Sequence, residues 1–287
     1  MPEHNELGTR MKEYEKRNQY YLQKRTPVAI RVDGRSFHTF TKRFKRPFDD
    51  ILIKTMQETA KYMCENMGNA KFAYVQSDEI TIILVDYDTL ETDCWFNYRT
   101  DKLCSISASM ATMAFNKFFY KNVADGYKHR YDVKDECSMP YDLYKTYTNA
   151  INKGAMFDAR CFNIPKEEVT NLIYWRQLDA TRNSIQMVGQ ANFSHKELQN
   201  KSCNDIQDML MLQKNINWND FPTYQKRGSC IVKSDEKETI TEDNIGTDGS
   251  VIGTKMTIRS KWKIDTEMPI LKGKDRAYVD NLIYIGE

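Results

Sequence analysis

The sequence predicts an α+β fold in the order β-α-β-β-α-β, and three observations predict it. Short apolar runs of strand length alternate with stretches that place apolar residues at helical spacing. Two of the runs, residues 72–75 and 80–85, lie so close that only a tight turn fits between them. In two places a carboxylate stands where such a run ends or turns. Asp33 does so in Arg31-Val32-Asp33-Gly34-Arg35-Ser36-Phe37-His38, and Asp78 in Gln76-Ser77-Asp78-Glu79.

The elements follow in order. Residues 14–21 form part of an entry helix that ends before Pro27, since proline removes a donor and restricts its predecessor. Residues 28–32 are the first strand. After a loop over 38–48, Asp49 caps a helix running to Met67, with Leu52, Met56, Ala60, Met63 and Met67 at helical spacing and Gly68 as its stop. The hairpin of 72–75 and 80–85 carries Ser77-Asp78 at its tip. A second long helix spans 98–120, with Leu103, Ile106, Met110, Ala114 and Phe118 on one face. Residues 121–152 read as a polar, tyrosine-rich connection and 155–163 as the fourth strand. Two crossovers joined by a hairpin make the split, ferredoxin-like arrangement. It packs both helices on one face of an antiparallel sheet and leaves the other face open for a substrate. Pro165 starts a third helix through Val169, Leu172, Ile173 and Ile185, followed by short helices from Ser194-His195 and over 204–214. Towards the C-terminus, 228–232 and 254–264 read as strands around an acidic, glycine-containing loop, 235–250.

Composition narrows the function. The 287 residues carry a formal net charge of only +2, so any surface for nucleic acid is a local patch. Seven cysteines are scattered with no C-x-x-C pair, which argues against a disulfide framework or a zinc site. They read as reduced core residues of a cytoplasmic protein. No apolar run is long enough to span a bilayer, and Met1 to Glu6 begin no signal peptide, so no membrane association is expected. Seventeen tyrosines and 13 phenylalanines supply material for stacking as well as packing.

Asp33 ends the first strand and Asp78 turns the hairpin. In this topology those strands are neighbours, so the two carboxylates can approach within metal-bridging distance and hold divalent cations that clamp a nucleoside triphosphate. Gly34 admits a close approach of backbone to ligand, and its carbonyl is a further hard oxygen. The amides of Arg35 to His38 are placed to cradle phosphate oxygens. Either motif alone is ordinarily a turn; their pairing in one β-α-β-β frame is the signal.

Several motifs then share one resemblance. Asp33-Gly34-Arg35 with Phe37-His38, Arg46-Pro47 with Asp49, Gln76-Ser77-Asp78-Glu79, Phe157-Asp158-x-Arg160 and Trp175-Arg176-Gln177-x-Asp179 occur in order. Over residues 10–233 the chain resembles the tRNA-His guanylyltransferases and their 3′-5′ polymerase relatives. The resemblance implies a polymerase palm and two Mg²⁺ ions held by Asp33, Gly34 and Asp78, with Asp33 and Asp78 catalytic. Its implied nucleotide site is Asp33, Gly34, Arg35, Ser36, Phe37, His38, Ser77 and Asp78, with Arg46 near the activating nucleotide. A 5′-monophosphate is activated with ATP or GTP, releasing pyrophosphate, and the 3′-hydroxyl of an incoming nucleoside triphosphate then attacks it. tRNA is the implied partner and a homotetramer the implied assembly.

Two departures refine this. Where tRNA-His enzymes carry H-I-N-N-L-Y-N-T, this chain has Ala180-Thr181-Arg182-Asn183-Ser184-Ile185-Gln186-Met187. With Phe193-Ser194-His195-Lys196, that stretch resembles the bacterial and archaeal branch, whose activity is templated repair of truncated tRNA 5′ ends. A tRNA-His-specific guanylyltransferase is the alternative. Ala159 replaces the usual glycine of Phe-Asp-Gly-Arg. A nucleotide cyclase-like palm and a non-catalytic RNA-binding protein are the competing classes.

The expected organisation is a palm over 1–165, a helical RNA-interacting region over 166–233 and an extension over 234–287 that matches no family by motif. Lys102 and Arg99, in the first turn of the second long helix, are placed where a triphosphate meets cations and free amides. Glu79, Arg99, Arg176 and Arg182 are candidates for supporting the metal ligands or touching RNA. The helix bearing Arg176 and Arg182 either pairs them in the core, with Asp179 the natural partner, or lines an RNA groove.

Overall fold

The computed structural model describes residues 6–132, 139–245 and 251–285, with the side chains of all these except 128–132, 235–245 and 251–259. Six strands are β1 (Val28–Gly34), β2 (Ala70–Gln76), β3 (Glu79–Leu84), β4 (Phe157–Asn163), β5 (Ser229–Ile245) and β6 (Val251–Asp265). They form one sheet in the order β4-β1-β3-β2-β5-β6, each neighbouring pair antiparallel. The helices are α1 (Glu6–Lys16), α2 (Phe37–Phe40), α3 (Asp50–Asn66), α4 (Thr100–Asp132), α5 (Tyr141–Lys153), α6 (Lys166–Asn192), α7 (His195–Leu198), α8 (Cys203–Lys214), α9 (Thr223–Arg227) and α10 (Ala277–Ile283). No described helix is long and apolar enough to cross a membrane.

The β-α-β-β-α-β order and its two crossover helices are as the sequence predicts. Val28, Ile30 and Val32 of β1 join Ile80, Ile82 and Leu84 of β3 in a core shared with α3 and α4. The opposite face is not open. Ala29, Phe72, Tyr74, Ile83 and Val85 pack there against Val169 and Ile173 of α6 and Val279 and Ile283 of α10. Central strands that are apolar at successive positions need cover on both faces, and the C-terminal segment supplies it. A third cluster joins Phe48 to Ile185 and Val188 of α6, Phe193, Ile206 and Leu210 of α8, and Trp218. It docks the second half of α6 onto the loop before α3.

Local expectations fail where tertiary contacts outbid them. The entry helix is Glu6–Lys16 rather than 14–21, because the following segment is drawn out to donate from Leu22 to the Tyr98 carbonyl and to accept from Thr100 at Tyr20. The buried stripe of α4 is Leu103, Ser107, Ala111, Phe115 and Phe119, with Ile106, Met110 and Phe118 only half-buried. Small Ser107 and Ala111 let the helix lie close to the sheet, a fit that hydrophobicity does not rank. Of the supposed connection over 121–152, residues 121–132 are the end of α4 and 141–152 most of α5, while 133–138 lie outside the described residues. Three of its tyrosines pack: Tyr127 stacks on Tyr144 at 3.8 Å, and Tyr147 is buried against Phe44 and Phe119.

Of the acidic loop over 235–250, residues 235–245 continue β5, and 246–250 lie outside the described residues. Pairing with β6 along this stretch overrides weak β propensity. Among the six described cysteines only Cys64 and Cys230 are core, the other four being half-buried; Cys137 lies outside the described residues.

Candidate active site

Asp33 pairs across the ladder with Glu79, which puts the hairpin tip Ser77-Asp78 at the same end of the sheet. The tip turns because Ser77 takes a left-handed φ of 49°. The Gly34 amide donates to the Asp78 carbonyl at 3.2 Å and ties the tip to the end of β1. Glycine is required at 34 by packing, since a Cβ there would lie 2.3 Å from Phe37 Cδ2. The Phe37 ring is thus one close approach that Gly34 admits, made within the chain. That ring sits 5.1–5.4 Å from Phe40, Phe115 and Phe157 and anchors α2.

Of the predicted phosphate cradle, the Arg35 amide is consumed by the Met156 carbonyl at 2.8 Å. The amides of Ser36, Phe37 and His38 have no backbone acceptor among the described residues. His38 is exposed, not buried.

The two carboxylates differ in setting. Asp33 is 42% exposed, with Arg160 Nη2 at 3.8 Å. Asp78 is half-buried and accepts the Ser77 hydroxyl at 3.0 Å. Burial first, then the charge of Asp33, pushes the Asp78 carboxyl up to about 6. A carboxylate pair that resists joint ionisation is an electrostatic demand that a cation relieves.

A cavity of about 530 Å³ opens in front of them, between α2, the loop before α3, the hairpin tip and α6. From the predicted set it is lined by Asp33, Gly34, Ser36, Phe37, His38, Arg46, Ser77 and Asp78. Lys42, Lys45, Met187 and Gln190 line it too and were missed. The run Lys42-Arg43-Phe44-Lys45-Arg46 was a legible signal for the first two. Met187 and Gln190 reach the cavity only through the docking of α6. The loop is pinned by buried Asp49, which accepts from the amides of Lys45 at 3.0 Å and Leu52 at 2.9 Å and from the Tyr147 hydroxyl at 2.6 Å.

Lys102 and Arg99 are not at this site. β3 is entered at Glu79 beside the tip and left at Leu84, so the helix that follows starts from the far end of the sheet. Thr112 Oγ1 accepts the Phe157 amide at the carboxylate end, while Cys104 lies against Cys161 further along β4. Ten residues of α4 separate Thr112 from Lys102, roughly 15 Å along the axis. Arg99 pairs instead with Asp101 at 2.9 Å. Arg35 is exposed and does not line the cavity.

Glu79 is held by Arg176 through two bonds of 2.7 Å, with Arg31 Nε at 3.5 Å. Arg176 also donates to Asp179, which accepts Arg182 at 2.7 Å. Arg176 is therefore a buried ion pair that braces the hairpin against α6, whereas Arg182 is exposed. Trp175, which the Arg176 guanidinium covers at 4.7 Å, is half in solvent rather than core.

The family model for tRNAHis guanylyltransferase (Thg1) matches residues 8–165. Among solved structures the chain is similar to a bacterial tRNA(His) guanylyltransferase (Thg1)-like protein in complex with ATP. Identity is 40% and the TM-score 0.75, over 97% of this chain and all of the other. It is similar to a bacterial protein of the same description in complex with GTP, at 36% identity and a TM-score of 0.71, over 98% of this chain. The tRNA(His) guanylyltransferase of Saccharomyces cerevisiae is 27% identical over 227 residues, 73% of this chain and 83% of the relative. Most of the segment beyond 233, which resembled no family by motif, falls within the structural matches.

Proposed function

The chain belongs to the tRNAHis guanylyltransferase (Thg1) family, and on that premise we propose that it repairs tRNA 5′ ends by templated 3′-to-5′ nucleotide addition. One observation carries the chemistry. Asp33 and Asp78 stand close together at one end of an antiparallel sheet, and the cavity before them has a wall of Lys42, Lys45 and Arg46. The stretch 180–187, which departs from the tRNA-His pattern, is the part of α6 that contributes Met187 to that cavity. This supports the repair reading over a tRNA-His-specific one.

The donors suit Mg²⁺. Asp33, Asp78 and the Gly34 carbonyl are hard oxygens, and among the described residues no group of three or more carboxylate, histidine or cysteine side chains converges into a closed cage. Mg²⁺ keeps several positions for water and substrate phosphate. Two ions held there would neutralise triphosphate charge and align attacking and leaving oxygens. The amides of Ser36, Phe37 and His38, with Lys42, Lys45 and Arg46, bind and orient the phosphates. The Arg176–Glu79 bond keeps the hairpin tip in place. In the first step an RNA 5′-phosphate oxygen bonds to the α-phosphorus of ATP or GTP and pyrophosphate leaves. In the second, the 3′-hydroxyl of the incoming nucleotide bonds to the RNA 5′ phosphorus and the nucleoside monophosphate leaves. In this reading the helical region 166–233 meets RNA, which the presence of Met187 and Gln190 of α6 in the cavity wall supports.

The test offers 5′-truncated tRNAs whose opposing base is each of the four in turn, with Mg²⁺ and all nucleotides. Addition of the complementary nucleotide in every case is expected. Guanosine added whatever the template, and only to tRNA-His, would overturn the repair reading. Cyclic products from ATP or GTP alone would overturn the class.

A further inference from the structure

A second cavity of about 660 Å³ opens beside the first and shares Arg46 and Gln190 with it. It is built where α6 ends, α7 turns and α8 begins. Phe193, Leu198 and Ile206 form its apolar wall. The polar side chains around it are the amides of Gln186, Gln190, Gln199 and Asn200, the cations Arg46 and Lys201 and the imidazole of His195. No carboxylate lines it. The two acids nearest in sequence are turned to other work: Glu197 and Asp205 close capping boxes on Ser194 and Ser202. Those bonds hold both carboxyls below the usual range.

Among the described residues, none of these seven polar side chains makes a hydrogen bond or salt bridge within the chain. Four free amides, two free cations and an imidazole around an apolar wall form a set of donors and acceptors with nothing to meet. Cations without a carboxylate select phosphate. Amides can read a base edge, and an apolar and aromatic wall takes a base face. The volume exceeds that of the nucleotide cavity. The shared Arg46 and Gln190 place an occupant in reach of the reacting end.

We propose that this second cavity binds a nucleotide unit, supplied by the RNA strand beside its reacting 5′ end. The inference rests on the nucleotidyl-transfer reading of the first cavity, but its test reads binding rather than addition. Lys201→Glu and the double substitution Gln199→Ala/Lys201→Gln alter exposed residues outside the first cavity. Each full-length variant is titrated with ATP and, separately, with a 5′-truncated tRNA. Lys196→Glu, an exposed reversal that does not line the cavity, is the control.

Both variants should weaken tRNA binding about tenfold or more and leave ATP at the first cavity within twofold of wild type. The Gln199→Ala/Lys201→Gln protein should also bind with a shallower salt dependence, by roughly one unit of slope for a lost phosphate contact. Loss of one bound ATP from a wild-type stoichiometry of two, with tRNA binding unchanged, would mean that the unit is a free nucleotide. Wild-type affinity for both ligands in both variants would overturn the site, as would an equal loss in Lys196→Glu. A chain that binds and loses tRNA as expected, yet adds no nucleotide, would sink the repair reading and leave the cavity standing.

Discussion

The two ends of the central sheet both carry charges and use them in opposite ways. At the end where β3 is left, charges are satisfied within the chain. Both oxygens of Asp86 accept the Arg25 amide, at 3.0 and 2.9 Å, and the Arg25 guanidinium donates to the carbonyls of Asp86 and Thr89. Lys71 pairs with Asp88 and Arg99 with Asp101. At the end where β3 is entered, Asp33 and Asp78 confront each other, and the nearest cation is Arg160 at 3.8 Å from Asp33. Charge as such does not mark the site; charge left poorly satisfied does.

The largest effect that tests this contrast is on catalysis. Asp33→Ala or Asp78→Ala should lower nucleotide addition on the order of 10³-fold or more, as loss of preorganised charge stabilisation does. Asp101→Ala, at the satisfied end, should stay within twofold of wild type. Near-wild-type addition by either first-pair variant would break the contrast.

The brace behind the tip is read in stability. Arg176→Ala leaves Glu79 buried with only the longer contacts to Arg31 and the Thr81 hydroxyl, and removing one partner of a buried pair costs about 3–5 kcal/mol. Urea unfolding should show that loss, with a smaller one for Arg176→Met combined with Glu79→Gln. A single variant that unfolds like wild type would mean that the pair does not hold the hairpin.

The strain of the carboxylate pair has a sign that pH reveals. Asp78 is raised from an ordinary 3.8 to about 6, so the folded chain binds its proton before the unfolded chain does. Its contribution to stability is therefore favourable at low pH and is lost as pH rises from about 4 to 6. Asp78→Asn should stabilise the divalent-free protein at pH 7 by roughly 3 kcal/mol at most, since one unit is about 1.4 kcal/mol. The gain should vanish towards pH 4. Equal stability of the two proteins across that range would show that burial and the charge of Asp33 do not raise the Asp78 carboxyl.

The smallest effect separates cations. Arg46→Ala should raise the KM for the activating nucleotide about tenfold, the loss of one modest charged contact. Lys102→Ala and Arg99→Ala should change it by less than twofold. A strong effect at Lys102 would return the site to the first turn of α4.

Much of this was legible because it is local or follows from strand order. β1, β2 and β3 are short apolar runs with turn residues beside them, and Asp49 caps α3 by the bond its position implies. The hairpin brings Asp78 next to Asp33 because β1 and β3 are neighbours in the sheet. The misplacement of Lys102 was avoidable in principle, since a helix that follows β3 cannot begin at the end where β3 starts. The α4 face was not legible. Periodicity ranks residues by hydrophobicity, and Ser107 and Ala111 are buried for their small size.

By itself the sequence determined the strand order, the carboxylate pair and the family. These rest on residues adjacent along the chain or on a frame that few topologies satisfy. Tertiary structure alone decided that α6 and α10 cover the second face, that Phe37 closes over Gly34, and that Arg176 braces Glu79 across 97 positions. It also decided that Met187 and Gln190 wall the nucleotide cavity. Each depends on where a distant segment docks, and docking is set by the fit of packed shapes, which no periodicity in one segment records.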